Sequence, residues 1–327
     1  MIKGEKFLRI LITGSLGFVG KHLIKHLNLK NNCEILGLDI KLGNFESEDS
    51  FKENDKLRFS EIDLRDKEKV LNIIREFKPD QIYHLAAQSS VSYSWENPQE
   101  TFEINVFGGI NLLNAVKTYC DECRILMICT AEEYGGIIPQ NKAITEEFRI
   151  FPSNPYAISK AALDFFSITY QKAHGLKIFV SRSFNHIGSG QSERFVTSDF
   201  AKQIAEIEKG IREPVVKAGN TEVFRDFLDI RDVVEAYYCI INFGKVGEVY
   251  NVCSGVKSKI ANLLDLLISY STHPGIKIEI DKNRIRPFEV LSIYGDNSKL
   301  KKHTGWMPKH DIKESLKDIL NWWRERS

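Results

Sequence analysis

Apolar positions along this chain recur with two periods, and the periods alternate. Short apolar runs at 8–12, 34–38, 58–62, 81–87, 124–129 and 177–183 predict buried strands. Between them lie stretches with helical apolar spacing: one ending near Leu27, one after Asp66, one from about Pro98 to Tyr119 and one through Tyr156. Strands alternating with helices predict an α/β fold, a doubly wound parallel sheet with helices on both faces. From 187 onward the alternation loosens. Helical patterns at 196–209, 232–243, 261–270 and 312–326 mix with strand patterns at 214–218, 248–253 and 277–281. The expected organisation is a domain over 1–186 and a smaller, partly interleaved α/β lobe over 187–327. The chain has no internal repeat or low-complexity tract, and 44–54 is its most polar loop.

At 327 residues the chain is too long for one small core and suits a large domain carrying a lobe. A net charge of +1 offers no basic surface to a polyanion, so no nucleic-acid partner is expected. No apolar run approaches the ~20 residues that cross a bilayer, and the N-terminus has no secretory h-region, so no membrane partner is expected. Cys33, Cys129 and Cys253 sit in apolar runs, where thiols act as small hydrophobes. Cys120 and Cys123 form a C-x-x-C without a second pair at zinc spacing; they read as reduced thiols in a turn. No metal site and a cytoplasmic location follow.

The first apolar run ends at Thr13-Gly14-Ser15-Leu16-Gly17-Phe18-Val19-Gly20 and enters a helix. Strand, glycine turn, helix opens a dinucleotide-binding unit of Rossmann type. Gly14 permits the tight turn, Gly17 lets the backbone approach a pyrophosphate, and Gly20 lets the helix pack closely. The spacing is G-x-x-G-x-x-G rather than G-x-G-x-x-G. Asp39, ending the second strand, suits the adenosine ribose hydroxyls and repels a 2′-phosphate. That favours NAD(H), with NADP(H) as the alternative; a loop-capping carboxylate is the plainer reading. Asp63 is placed to meet an adenine or to cap a helix. The small Ala86 and Ala87 let a cofactor lie against the backbone. Asn105, polar among apolar neighbours, is placed to pair a buried backbone kink.

Thr130 and Glu132 alternate on an extended chain, so they are expected to point the same way, into a cleft lined by the next helix. There Tyr156 and Lys160 fall one turn apart on one face. A free tyrosine has a pKa of about 10 and is a poor base at neutral pH. A neighbouring ammonium is expected to lower it. Alone, Tyr-x-x-x-Lys equally describes a half-buried tyrosine beside a solvated lysine. The glycine turn, Asp39 and Thr130 give the pair a redox setting.

These motifs, in this order, resemble the extended short-chain dehydrogenase/reductases that act on nucleotide sugars. The resemblance runs from Leu8 to Trp323. It rests on the glycine turn, Asp39, Asp63-Leu64, His84-Leu85-Ala86-Ala87-Gln88, Thr130 with Tyr134-Gly135, and Tyr156 with Lys160. Within the family the chain is most similar to the GDP-mannose branch of 4,6-dehydratases and 4-keto-6-deoxymannose reductases. The stretches 131–135, 184–191, 225–233 and 250–255 look reductase-like, with Ser189 where reductases usually have proline.

The resemblance implies catalytic roles for Thr130, Tyr156 and Lys160, with Glu132 beside them. It implies cofactor contacts at Gly14, Gly17, Phe18, Val19, Gly20, Asp39, Asp63, Leu64, Leu85, Ala86, Ala87 and His186, besides Tyr156 and Lys160. It implies contacts to a GDP-linked sugar at Gln88, Ser89, Ala131, Glu132, Asn185, Arg225 and Arg286. A guanidinium fork matches phosphate oxygens. The implied reaction is hydride transfer at a sugar C4, foremost NAD(P)H-dependent reduction of a GDP-4-keto-6-deoxy-mannose-type substrate. Glu132 leaves a 4,6-dehydratase open, because a carboxylate there takes a C5 proton. A C4 dehydrogenase or epimerase on GDP-mannose or GDP-heptose also fits. A non-catalytic NAD(H) or nucleotide-sugar sensor is the alternative of another class. A homodimer through the Tyr156 helix and the helix near Asn105 is implied. Leu163, Phe166 and Tyr170 belong either to that interface or to the core.

Overall fold

The computed structural model describes residues 7–30, 33–43, 56–136, 142–284 and 290–327. The polar loop 44–54 and Arg286 lie outside the described residues. Six strands, β1 (Leu8–Thr13), β2 (Cys33–Asp39), β3 (Leu57–Glu61), β4 (Gln81–His84), β5 (Arg124–Thr130) and β6 (Lys177–Ser183), come from the first half. With them come α1 (Phe18–Asn28), α2 (Lys67–Phe77), α3 (Val91–Glu96), α4 (Pro98–Phe102), α5 (Gly108–Tyr119) and α6 (Pro155–His174). Then follow β7 (Asn185–Ile187), α7 (Val196–Glu208), β8 (Val215–Ala218), β9 (Phe224–Arg225), β10 (Phe227–Asp229), α8 (Ile230–Phe243) and β11 (Val249–Val252). The chain closes with β12 (Ser258–Lys259), α9 (Ile260–Ser269), β13 (Lys277–Ile280), β14 (Ser292–Ile293), α10 (Ser298–Thr304) and α11 (Ile312–Arg324).

The main sheet has seven parallel strands in the order β11-β6-β5-β4-β1-β2-β3. Successive residues of a strand face opposite sides. Ile10 and Ile12 accordingly enter a core shared with α1 and α8, and Leu11 enters one shared with α2, α5 and α6. Both faces are covered, which is why these strands read as unbroken apolar runs. The order reverses between β4 and β2, on either side of β1. In open α/β sheets that switch point is where ligands bind, at the carboxyl ends of the strands.

Residues beyond 187 contribute to both cores. β11 closes the sheet beside β6, and α8 packs on α1. α10 joins them, its Leu300 in the core shared with α1, whereas α7, α9 and α11 with β8 form a separate apolar centre. There Trp323 donates its indole N–H to Ser198 Oγ at 2.9 Å, so this tryptophan serves packing.

One predicted helix differs from its sequence pattern. The helix expected from Pro98 to Tyr119 is broken by a π-turn at Glu103–Phe107. The wide turn carries Asn105, whose side chain pairs a neighbouring loop, and such bulges commonly mark functional sites. Leu163 is fully buried, and Phe166 stacks on Tyr170 at 4.5 Å while both pack on the protein's own core. That apolar stripe faces inward. Among the described residues, no helix is long and apolar enough to cross a membrane.

Candidate active site

A cleft of about 890 Å³ opens at the switch point, at the upper end of small-molecule sites. Its nearest wall is the β1–α1 turn. Gly14 has φ +68°, and a Cβ there would lie 2.8 Å from the Ala86 backbone nitrogen. At Gly20 a Cβ would lie 2.4 Å from the Gly14 carbonyl oxygen, so only glycine lets α1 start this close to the sheet. Gly17 is the N-cap of α1 and makes no side-chain cap, which leaves the first N–H groups of the helix for an anion. Phe18 and Val19 line the same wall.

Asp39 reaches back to this turn. Its Oδ2 accepts from Leu16 N–H at 2.9 Å and its Oδ1 from Ile40 N–H at 2.8 Å. Capping and ribose recognition are compatible, because a carboxylate has about four acceptor sites. Asp63 lines the cleft but does not cap a helix. The Arg65 guanidinium grips both carboxylate oxygens at 2.7–3.1 Å and holds the group below the usual carboxylate range. The neighbouring α2 is capped by Asp66 instead. Asp63 and Leu64 still line the cleft.

The floor is set by Thr13 and His84. Thr13 Oγ1 pairs with His84 Nδ1 at 2.9 Å and accepts from Ala86 N–H at 3.2 Å, fixing the Leu85-Ala86-Ala87 backbone against the glycine turn. His84 is fully buried, and burial together with the Lys160 charge pushes its ring pKa down to about 3. It is neutral in the folded protein. An unfolded histidine titrates near 6.5, so His84 stabilises the fold fully above that pH and loses this contribution as pH falls towards about 3. Thermal melts should lose on the order of 2 kcal/mol of stability between pH 7 and pH 5 from this group, and His84→Gln should flatten that decline.

Asn105 and Gln88 join the floor to α6. Asn105 Oδ1 accepts from Gln88 N–H at 2.8 Å, and its Nδ2 donates to Gln88 O at 3.0 Å and Ser159 Oγ at 2.9 Å. The expected pairing of a buried backbone kink is thus made to the loop after β4. Gln88's own amide donates to Ser90 O and Thr101 Oγ1, so the side chain expected to meet the sugar also ties that loop to α4.

α6 begins with Asn154 as N-cap, accepting from Ala157 N–H at 2.8 Å, and Pro155 in the first turn. This start sets Tyr156 and Lys160 on the cleft face. The Thr130 hydroxyl lines the cleft beside Tyr156 and draws its pKa down. Burial outweighs that pull, with Glu132 and Glu133 acting in the same sense, and the phenol sits above its ordinary value. The expected lowering by Lys160 is not found: the ammonium is not among the groups that shift Tyr156 most. Lys160 is 3% exposed and makes no hydrogen bond from Nζ among the described residues.

Thr130 is extended, with φ −140° and ψ 147°, but the next four residues coil into a 3₁₀ turn, Ala131–Tyr134. Glu132 therefore does not alternate with Thr130 on a strand. Its N–H donates to Thr130 Oγ1 at 3.3 Å, and its carboxylate accepts from Asn154 Nδ2 at 3.4 Å at the cleft wall. The cause is a capping box in which Glu133, not Glu132, accepts from Thr130 N–H.

The far wall carries the expected sugar contacts. Asn185 donates to Asp226 O at 2.8 Å, and Arg225 Nη1 donates to the carbonyls of Phe224 and Val290 at 2.8 Å each. Both line the cleft, as do Ser89 and Ala131. Arg194, exposed at the rim, is a further cation the sequence did not single out; nothing but its charge marks it. His186 is neutral, its pKa pushed down to about 4 by burial, and its Nε2 has no partner among the described residues.

These features fit a nicotinamide dinucleotide. The glycine cradle would hold its pyrophosphate and Asp39 a ribose, and the Lys160 ammonium and His186 Nε2, which have no hydrogen-bond partner among the described residues, would meet its polar groups.

The model of the family described as GDP-mannose 4,6 dehydratase matches residues 11–319. The chain is 34% identical to GDP-6-deoxy-D-mannose reductase of Pseudomonas aeruginosa, over 97% of this chain and 98% of that one. It is 31% identical to GDP-mannose 4,6 dehydratase 1 of Arabidopsis thaliana, over 95% and 88%. The solved structure of RMD from Pseudomonas aeruginosa complexed with NADPH superposes with a TM-score of 0.84 at 33% identity, covering 98% of this chain and 100% of that one. The UDP-glucose 4-epimerase of Thermus thermophilus in complex with NAD gives 0.85 at 29% identity, covering 98% and 100%. Motif order, sheet topology and cleft agree with these matches: the chain belongs to the GDP-mannose 4,6 dehydratase family, NAD(P)-dependent nucleotide-sugar enzymes of the short-chain dehydrogenase/reductase type.

Proposed function

We propose that this protein reduces the C4 ketone of a GDP-4-keto-6-deoxy-mannose-type sugar. The observation that carries the reading is the Thr130–Tyr156 pair. The half-buried phenol stays protonated well above neutral pH and shares the cleft wall with a second hydroxyl, that of Thr130. Such a pair can hold a carbonyl oxygen and protonate it as negative charge develops. Bound NAD(P)H supplies the hydride. Lys160 holds the nicotinamide ribose. Arg225 with Asn185 receives the diphosphate and sugar, Arg194 at the rim adds a second cation, and residues 187–327 outside α8, β11 and α10 serve as the sugar lobe. The 34% identity to a reductase supports the same direction. Asp39 at the end of β2 favours NADH over NADPH.

Glu132 motivates a second reading. It lines the cleft two residues after Thr130, where a base could remove a C5 proton, as a 4,6-dehydratase requires. One assay separates the two. With the 4-keto-6-deoxy sugar nucleotide, nicotinamide absorbance should fall, faster with NADH than NADPH. With GDP-mannose, mass spectrometry should find no loss of water. Dehydration of GDP-mannose would overturn the reductase reading. Binding of NAD(H) without turnover of any GDP-sugar would leave only the sensor.

We further infer a cytoplasmic homodimer. All six cysteines are free thiols, which supports the reducing compartment. Ile158 and Phe165 on α6 are 44% and 57% exposed, and Phe107 on the π-turn is 56% exposed. They make an apolar surface where the α6 stripe named from the sequence does not. Phe165→Glu should shift a dimeric mass in light scattering to the monomer; a monomeric wild type would sink the inference.

A further inference from the structure

Behind the cleft the molecule buries a knot of charge. Glu133 is fully buried, Asp164 is 1% exposed and Arg182 6% exposed. Charged side chains are almost never buried to this degree unless paired. Arg182 Nε donates to Asp164 Oδ2 at 2.8 Å. The same Nε lies 3.6 Å from Glu133 Oε2, beyond hydrogen-bond reach. Glu133 Oε1 accepts from Thr130 N–H at 3.1 Å, but Oε2 has no donor among the described residues. One guanidinium therefore serves two carboxyl groups, and one carboxyl oxygen is orphaned.

A metal ion is not the missing partner. Cys129, Glu133 and Asp164 offer atoms within 4.8 Å of one another, but Arg182 already supplies the cation. A proton is the simpler answer. On Glu133 Oε2 it removes an uncompensated buried charge, turns the orphaned acceptor into a donor, and gives Asp164 a second partner. Burial first and the Asp164 charge second push Glu133 well above the carboxylate range, against the pull of Arg182. The other titratable groups around the pair are Cys129 of β5, Tyr134 of the 3₁₀ turn, and Tyr156 and Lys160 of α6.

The location gives this proton a task. Asp164 follows Tyr156 by eight residues on α6, on the face that carries Lys160. Glu133 follows Thr130 by three. Carboxyl oxygens of Glu133 and Asp164 lie within 4.8 Å of each other, so a proton held between them joins the turn that carries Thr130 to the helix that carries Tyr156. We propose that Glu133 is a positioning residue which, as a neutral acid between Thr130 and Asp164, fixes the contact of the Thr130 and Tyr156 hydroxyls. This rests on the reading of that pair as the proton-handling groups.

Infrared spectra and kinetics of the purified full chain test it. At pH 7 the wild type should show a carboxylic-acid C=O band that Glu133→Gln removes. Asp164→Asn should also remove it, because Glu133 then ionises against Arg182. Glu133→Gln, neutral and similar in shape, should keep kcat within about threefold, whereas Glu133→Leu should lower it roughly 10²-fold with KM little changed. An acid band that ignores Glu133→Gln, no such band, or a Glu133→Leu enzyme with wild-type kcat would overturn the proposal. If Glu133→Leu does not fold, the band and the Gln variant decide. The band is read without substrate, so an inert wild type that shows it would refute the proposed reaction and not the neutral clamp.

Discussion

Tyr156→Phe should abolish most turnover while leaving the folded protein and its cofactor affinity intact. Positioned general acids contribute about 10²–10⁴-fold, and kcat should fall by that range. The substitution removes one oxygen and keeps the ring that packs in the cleft wall, so melting temperature should hardly move. Thr130 loses the neighbouring hydroxyl but keeps the bond from Glu132 N–H. Because burial holds the phenol above its ordinary pKa, the wild-type reduction rate should stay flat through neutral pH. The decisive measurements are saturating kcat and the NADH dissociation constant of the same preparation. A variant within tenfold of wild-type kcat would remove Tyr156 from the role of acid.

Arg182→Met should produce the largest loss of stability among substitutions that touch no ligand. The guanidinium donates to Asp164, to Tyr134 Oη at 3.2 Å and to Glu146 O at 3.1 Å, and it lies 5.2 Å from the Tyr134 ring centroid. Removing one partner of a buried ion pair leaves an uncompensated charge and costs about 3–5 kcal/mol. Here two carboxyls lose their cation. Both must then hold protons to stay buried, so the variant's folded state binds more protons than its unfolded state at neutral pH. Its stability should fall as pH rises, and the deficit against wild type should be larger at pH 8 than at pH 6. Denaturant melts at the two pH values measure this. A deficit below about 1 kcal/mol at both would show that the knot relaxes or takes in water.

The redox half of the molecule is legible in the sequence because its signals are local. The apolar run at 177–183 predicts a strand, and β6 lies there, since a strand covered on both faces is an unbroken apolar run. The glycine turn fixes its own geometry through Gly14 and Gly20. What escapes is non-local. Glu133, Asp164 and Arg182 each look like solvated charges when read singly, and only tertiary pairing buries them together. The four-residue spacing predicts that Lys160 governs Tyr156, but the degree of burial that outweighs it cannot be read from a spacing. Glu132 is a different case. The pattern Thr130-x-x-Glu133 is a capping box visible in the sequence, and it predicts the turn that the extended reading misses.

The strand β11 has a consequence for how the protein is made. Residues 249–252 lie along β6, so a nascent or truncated chain that ends near 186 presents β6 as an open sheet edge. Such an edge is a template for pairing with other chains. It also lacks α8, whose apolar face covers α1 and one side of the sheet. The cofactor-binding half thus waits on the ribosome for about 70 further residues before its hydrogen bonds and core are complete, and synthesis at roughly 5–20 residues per second makes that a delay of several seconds. A fragment trimmed to the glycine-turn half should aggregate, whereas one carried through 252 gains the strand that seals it.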